Sequence, residues 1–144
     1  MGLKWVRYTG DRETLPGMVV VGQDLDNLDL VVGRAVHDGD LLPAKAKPAH
    51  GLCYVSYLHR EHTKTDFEIL MLEDYHWVRD SNGHVPRHAV GAGRTSDGEM
   101  LYVGRCYVDG VPCVGKVHRS NGVLYAPYHG SEYKFKNYEV LVED

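Results

Sequence analysis

Short apolar runs broken by turn dipeptides recur along the whole chain. Residues 28–45 read LDLVVGRAVHDGDLLPAK, and residues 98–116 read GEMLYVGRCYVDGVPCVGK. In each stretch apolar positions alternate over a short window flanked by turn residues, which is the period of a strand. Asp38-Gly39 and Asp109-Gly110 predict tight hairpins. Asp26-Asn27 and Asp97-Gly98 predict further turns. Other strands are predicted over residues 18–21, 52–57 and 67–70, and again over 89–92, 123–128 and 138–141. No window carries a capped apolar stripe at helical spacing, so the chain reads as all-β, with about five strands in each half.

The two halves are copies of each other. At an offset of 71 residues Leu30, Val32, Gly33, Arg34, Asp38, Gly39 and Lys45 return as Leu101, Val103, Gly104, Arg105, Asp109, Gly110 and Lys116. Tyr54, Tyr57, Glu61 and Glu68 return in the same way as Tyr125, Tyr128, Glu132 and Glu139. Trp5 returns as Trp77 and Pro16 as Pro86, so small length changes lie between these positions and the strands that follow. The boundaries fall at residues 1–73 and 74–144. The seam, Asp74-Tyr75-His76, is too short and too aromatic for a flexible linker. One such repeat leaves an apolar sheet face bare, whereas two can cover each other. The expectation is a single folding unit in which the repeats intertwine as a compact β-sandwich or barrel-like domain.

Composition narrows the function classes. A net charge of −4 supplies no basic field for nucleic acid. No stretch approaches the roughly 18 apolar residues of a membrane span, and the first residues, MGLKWVRYTG, contain no apolar run of signal-peptide length. The expected location is therefore cytoplasmic, with unconventional secretion left open. Cys53, Cys106 and Cys113 are an odd number and read as free thiols.

The candidate chemistry is sparse. His59 and His62, or His84 and His88, do not form the His-Glu-x-x-His zinc pattern, and there is no Cys-x-x-Cys. No Gly-x-Ser-x-Gly or phosphate-binding loop is present, so neither an enzyme nor a cofactor is expected. Arg34 and Arg105, recurring in mid-strand, read as structural arginines bonded to a carboxylate of the other repeat, Glu68 or Glu139. Trp5 and Trp77 read as packing residues at the start of each repeat, with stacking on a sugar ring as the alternative.

Trp77, Val85-Pro86, Gly91-Ala92-Gly93, Leu101-Tyr102-Val103-Gly104-Arg105, Gly115-Lys116, Tyr125-Ala126-Pro127-Tyr128 and Tyr138-Glu139-Val140-Leu141 together resemble the DM-9 repeat family. These are tandem, natterin-type, lectin-like modules. The resemblance spans essentially the whole chain, and the first repeat is the more divergent copy, with Ala44 where the second has Gly115. It implies an all-β fold, often a homodimer, and a pattern-recognition protein of innate immunity that binds mannose, or mannose-containing microbial glycans, without a metal ion. The sugar-binding positions it implies are Asp24 and Lys45. Asp40, on the neighbouring turn, is a weaker third contact. In the second repeat Lys116 is kept but Thr95 replaces the aspartate, which implies a weaker second site. A carboxylate accepting from two sugar hydroxyls and an ammonium donating to their lone pairs make a chemically sound clamp. The competing reading of Asp24 and Lys45 is an exposed ion pair worth under about 1 kcal/mol. The functional alternative is an intracellular pathogen- or stress-responsive scaffold with a degenerate sugar pocket.

Overall fold

The computed structural model describes residues 2–144. The first repeat forms seven strands: β1 (Lys4–Arg7), β2 (Val20–Gln23), β3 (Asp29–His37), β4 (Asp40–Lys47), β5 (Leu52–Tyr57), β6 (Arg60–Lys64) and β7 (Glu68–Met71). The second repeats the order with β8 (Tyr75–Ser81), β9 (Gly91–Arg94), β10 (Met100–Val108), β11 (Val111–His118), β12 (Val123–Tyr128), β13 (Ser131–Phe135) and β14 (Asn137–Glu143). One 3-10 turn in each repeat, Pro48–His50 and Arg119–Asn121, links the fourth strand to the fifth. The fold is all-β, as expected, but with seven strands per repeat where the apolar pattern predicts about five. The additional strands include β6 (REHTK) and β13 (SEYKF), which are polar and become strands through their neighbours.

Eight strands close into a barrel in the order β4-β5-β6-β13-β12-β11-β10-β9, with β9 pairing back onto β4 at Leu41↔Arg94. The halves also join where β6 meets β13 at Arg60↔Ser131. Glu61 N donates to Gly130 O at 3.0 Å, and Glu132 N donates to His59 O at 3.1 Å. The remaining strands flank the barrel, β3 carrying β2, β7 and β1 on one side and β10 carrying β14 and β8 on the other. The apolar faces pack across the repeats. One cluster joins Val19, Leu30 and Leu70 to Val103, Val114 and Leu141, and another joins Val31, Leu42 and Ile69 to Leu101.

The hairpin dipeptides behave as their chemistry requires. Asp38 and Gly39 have φ of 48° and 86°, and Asp109 and Gly110 have 52° and 79°, two successive left-handed residues in each turn. The turns between β5 and β6, and between β12 and β13, use the same geometry without the Asp-Gly signal. Leu58 and His59 have φ of 46° and 72°, and His129 and Gly130 have 47° and 80°.

The recurrent arginines are structural, with one correction. Arg34 pairs with Glu68 at 2.7 Å and Arg105 with Glu139 at 2.9 Å, so each carboxylate comes from the arginine's own repeat. The register explains this: Arg34 stands opposite Glu68 across β3 and β7, and Arg105 opposite Glu139 across β10 and β14. What crosses between repeats is a guanidinium N–H, from Arg34 to Ala92 O at 3.1 Å and from Arg105 to Val21 O at 3.3 Å. Trp5 and Trp77 carry these guanidinium groups on their rings, 4.4 and 4.2 Å from the centroids. Stacking with arginine occupies the indole faces that a sugar would otherwise use.

Candidate functional site: two lysine pockets across the repeats

Lys45 and Lys116 are aliphatic-stemmed cations placed on barrel strands, and both are buried, with 4% and 7% of their surface exposed. The barrel gives them reciprocal partners. Lys45 Nζ donates to Pro127 O of the second repeat at 2.9 Å, and Lys116 Nζ donates to Ser56 O of the first at 2.8 Å. Ser56 and Pro127 are themselves equivalent positions of the two repeats. Each ammonium lies between two tyrosine rings, one from each repeat. Tyr54 and Tyr128 flank Lys45 with centroids at 5.4 Å, and Tyr57 and Tyr125 flank Lys116 at 5.5 Å.

A glutamate stands behind each ammonium. Glu61 Oε2 is 4.0 Å from Lys45 Nζ, and Glu132 Oε2 is 3.6 Å from Lys116 Nζ. Their other oxygens brace the opposite hairpin: Glu61 Oε1 accepts from Gly130 N and Glu132 Oε1 from His59 N, both at 3.0 Å. Burial pushes the Lys116 ammonium below the ordinary lysine range, against the pull of Glu132 and Asp40. A buried cation with one firm hydrogen bond keeps donor capacity for a ligand oxygen.

The first pocket departs from the expected Asp24–Lys45 clamp. Asp24 Oδ2 accepts from Lys47 Nζ at 2.9 Å, and Asp26 accepts from the same ammonium at 2.6 Å. Asp24 Oδ1 accepts from Leu25 N at 2.8 Å. Burial alone would raise the Asp24 carboxyl; the Lys47 and Leu25 hydrogen bonds outweigh it and hold the group below its ordinary value. Beside Lys45 Nζ lies the Cys113 thiol, at 3.6 Å. In the second repeat the position of Lys47 is His118, which packs edge-on against Tyr125 and lies 3.4 Å from Glu99.

Asp40 does not join Lys45. It is 8% exposed, accepts from Ser96 N at 2.8 Å, and lines the pocket of Lys116. That pocket has a volume of about 290 Å³, walled by Tyr57, Tyr125, Asn121 and Glu132. Thr95, the formal counterpart of Asp24, uses its hydroxyl to accept from Glu99 N at 3.1 Å. Larger depressions of about 690 and 450 Å³ lie over the Arg105–Glu139 and Arg34–Glu68 pairs, where the polar groups are already matched.

The paired tyrosines and glutamates were visible in the sequence as recurrences, although not as parts of a site. The three thiols are buried and unpaired, and burial raises that of Cys53 to about 12. Among the described residues no group of three or more His, Cys, Asp and Glu side chains is placed to hold a metal ion. His37 and His62 instead pack against each other, their rings tilted by 32° with centroids 4.1 Å apart.

The match to known proteins agrees with this architecture. A model of the DM9 repeat covers residues 24–135. The chain belongs to the DM9 repeat family. Natterin-3 of Thalassophryne nattereri is 36% identical over 93 residues, 62% of this chain and 23% of that protein. Natterin-4 of the same fish is 31% identical over 149 aligned positions, 96% of this chain and 33% of its own length. The DM9 chain thus spans a quarter to a third of these relatives. Among solved structures, that of the nematode sperm cell motility protein MFP2B superimposes with a TM-score of 0.65 at 12% identity, covering 98% of this chain and 46% of that one. That likeness is one of fold.

Proposed function

We propose that this DM9 protein is a metal-independent carbohydrate-binding protein with a preference for mannose. The observation that carries the reading is the buried lysine held between two tyrosine rings, with carboxylates nearby, built twice from both repeats. An ammonium donates to sugar oxygens, carboxylates accept from sugar hydroxyls, and aromatic faces suit the C–H surface of a pyranose. In the first pocket Lys45 is the donor and Asp24 the acceptor, turned by Lys47. A single monosaccharide contact of this size is weak, and a homodimer would gain avidity on mannose-rich microbial glycans. Pattern recognition in innate immunity is the role that fits such a binder.

The test is retention on mannose-agarose in buffer containing a strong chelator, with elution by free mannose. Retention unchanged by the chelator is expected, and Lys45→Met, which keeps most of the buried stem, should weaken it in a protein that still melts cooperatively. Binding that disappears on chelation and returns with calcium overturns the metal-free mechanism. One observation favours a second reading: the Asp24 carboxylate is already taken up by Lys47 and Leu25 N. A scaffold with a degenerate pocket would show no retention on any sugar.

A further inference from the structure

We propose that the Lys116 pocket is a second, independent saccharide site whose acid is Asp40, supplied by the first repeat, so that one chain carries two sugar sites. The inference rests on the carbohydrate reading above and supplies the acid that the Asp24-to-Thr95 difference takes from this pocket.

Three observations meet there. Glu132 Oε2 is fully enclosed and accepts no hydrogen bond among the described residues, its side chain being 6% exposed. Its distance of 3.6 Å from Lys116 Nζ is too long for a hydrogen bond. The pair is therefore held apart, with the ammonium bonded firmly only to Ser56 O at 2.8 Å. Next, the cavity of about 290 Å³ opens directly onto this lysine and the rings of Tyr57 and Tyr125, a size near the lower end for small-molecule pockets. Finally, Asp40 enters from the hairpin of the other repeat. Ser96 N fixes its Oδ1 at 2.8 Å, which places a carboxylate beside Thr95 where the repeat itself lacks one. In the sequence the counterpart of Asp40 is the apolar Val111, so only the first repeat carries this acid.

Charge selects the ligand class. Two carboxylates against one ammonium disfavour an anion, while the ammonium disfavours a cation. A neutral ligand that both donates and accepts at adjacent hydroxyls matches Asp40 and the Lys116 ammonium, and the two tyrosine rings cover its apolar face. A hexopyranose has this chemistry.

The experiment is an amide NMR titration of the full chain with methyl α-D-mannopyranoside. It uses the wild type, an Asp24→Asn/Lys45→Met variant that disables the first pocket, and Asp40→Asn in both backgrounds. Asparagine keeps an oxygen to accept from Ser96 N, so the hairpin stays in place. The wild type should show two groups of shifting resonances, one around Lys45 and Tyr128, the other around Lys116, Tyr57 and Ser96. The double variant should keep the second group, and adding Asp40→Asn should weaken that site about ten- to a hundredfold, the loss of one charge-assisted bond. Shifts confined to the first pocket and lost in the double variant overturn the second site while leaving the carbohydrate reading intact. An Asp40→Asn variant that binds as tightly as wild type at Lys116 removes Asp40 from the site. A wild type that responds nowhere refutes both readings.

Discussion

Gly115→Ala probes how tightly the second pocket is built. Gly115 precedes Lys116 on β11, and a Cβ added there would lie 2.0 Å from Tyr125 O, 2.8 Å from its carbonyl carbon and 2.9 Å from Ala126 Cα. All three atoms are backbone of β12, so no side chain can swing aside and the strand itself must move. The φ of Gly115 lies outside the left-handed region, so the contact alone sets the cost. Overpacking of this kind costs about 1–3 kcal/mol, which for a chain of this size lowers the melting temperature by about 2–12 °C. Moving β12 also carries Tyr125 away from Lys116, whose ammonium now lies 5.5 Å from that ring. Mannoside binding at the second pocket should therefore fall more than at the first. The first repeat supplies the control, because its matching residue, Ala44, is fully buried and its methyl is accommodated. Ala44→Gly should cost about 1–2 kcal/mol, from chain entropy and the lost burial of one methyl. Calorimetric melts of both variants, with the NMR titration, decide the matter. A Gly115→Ala melt indistinguishable from wild type would refute the backbone-contact reasoning.

Two further outcomes are expected. Residues 1–73 and 74–144 expressed separately should give no cooperative thermal transition, because β4 needs β9, β6 needs β13 and the main apolar cluster draws on both halves; a sharp melt in either fragment would contradict a shared core. Lys47→Met should destabilise the protein at neutral pH but not in acid. Asp24 and Asp26 titrate below their ordinary value of 3.8 beside Lys47, so their contribution is present above that value and is lost as pH falls through the lowered one. Urea unfolding of both proteins from pH 7 to pH 2 should therefore converge at the acid end, and a gap that persists at pH 2 argues against the clasp.

Features set by local chemistry were legible in the sequence. The Asp-Gly hairpins, the alternating strands and the duplication all follow from short-range pattern, and each has its place in the barrel. Pairing between distant segments was less accessible. β6 and β13 carry no apolar alternation, and their strand character comes from pairing with β5 and β12 in their hairpins, with one further pair across the seam. Arg34 and Glu68 recur together, but only the β3–β7 register shows that they face each other within one repeat. Asp24 and Lys45 were matched by motif, whereas the ammonium nearest Asp24 belongs to Lys47, two residues further along β4. Asp40 follows the Asp38-Gly39 turn and reads as a neighbour of Lys45; only barrel closure brings it to Lys116. The recurrence of Tyr54, Tyr57 and Glu61 as Tyr125, Tyr128 and Glu132 was the available signal for these pockets, since both lysines recur with them.

The reciprocal construction has a consequence for how the two pockets diverge. Each lysine takes its backbone acceptor, one tyrosine and the brace of its glutamate across the repeat boundary. A substitution in one repeat therefore acts on both pockets. Thr95 removes an acid from the second repeat, yet a carboxylate of the first, Asp40, is held by Ser96 N of the same loop. Side-by-side alignment of the repeats scores Asp24 against Thr95 and Asp40 against Val111 as two independent losses of symmetry. In space Asp40 of the first repeat is held by Ser96 N and lines the pocket of Lys116, while Asp24 bonds Lys47 of its own repeat. The proposed second site is accordingly shared between repeats. Asp40 and Lys116, although they come from different copies, should behave as one coupled pair when both are substituted.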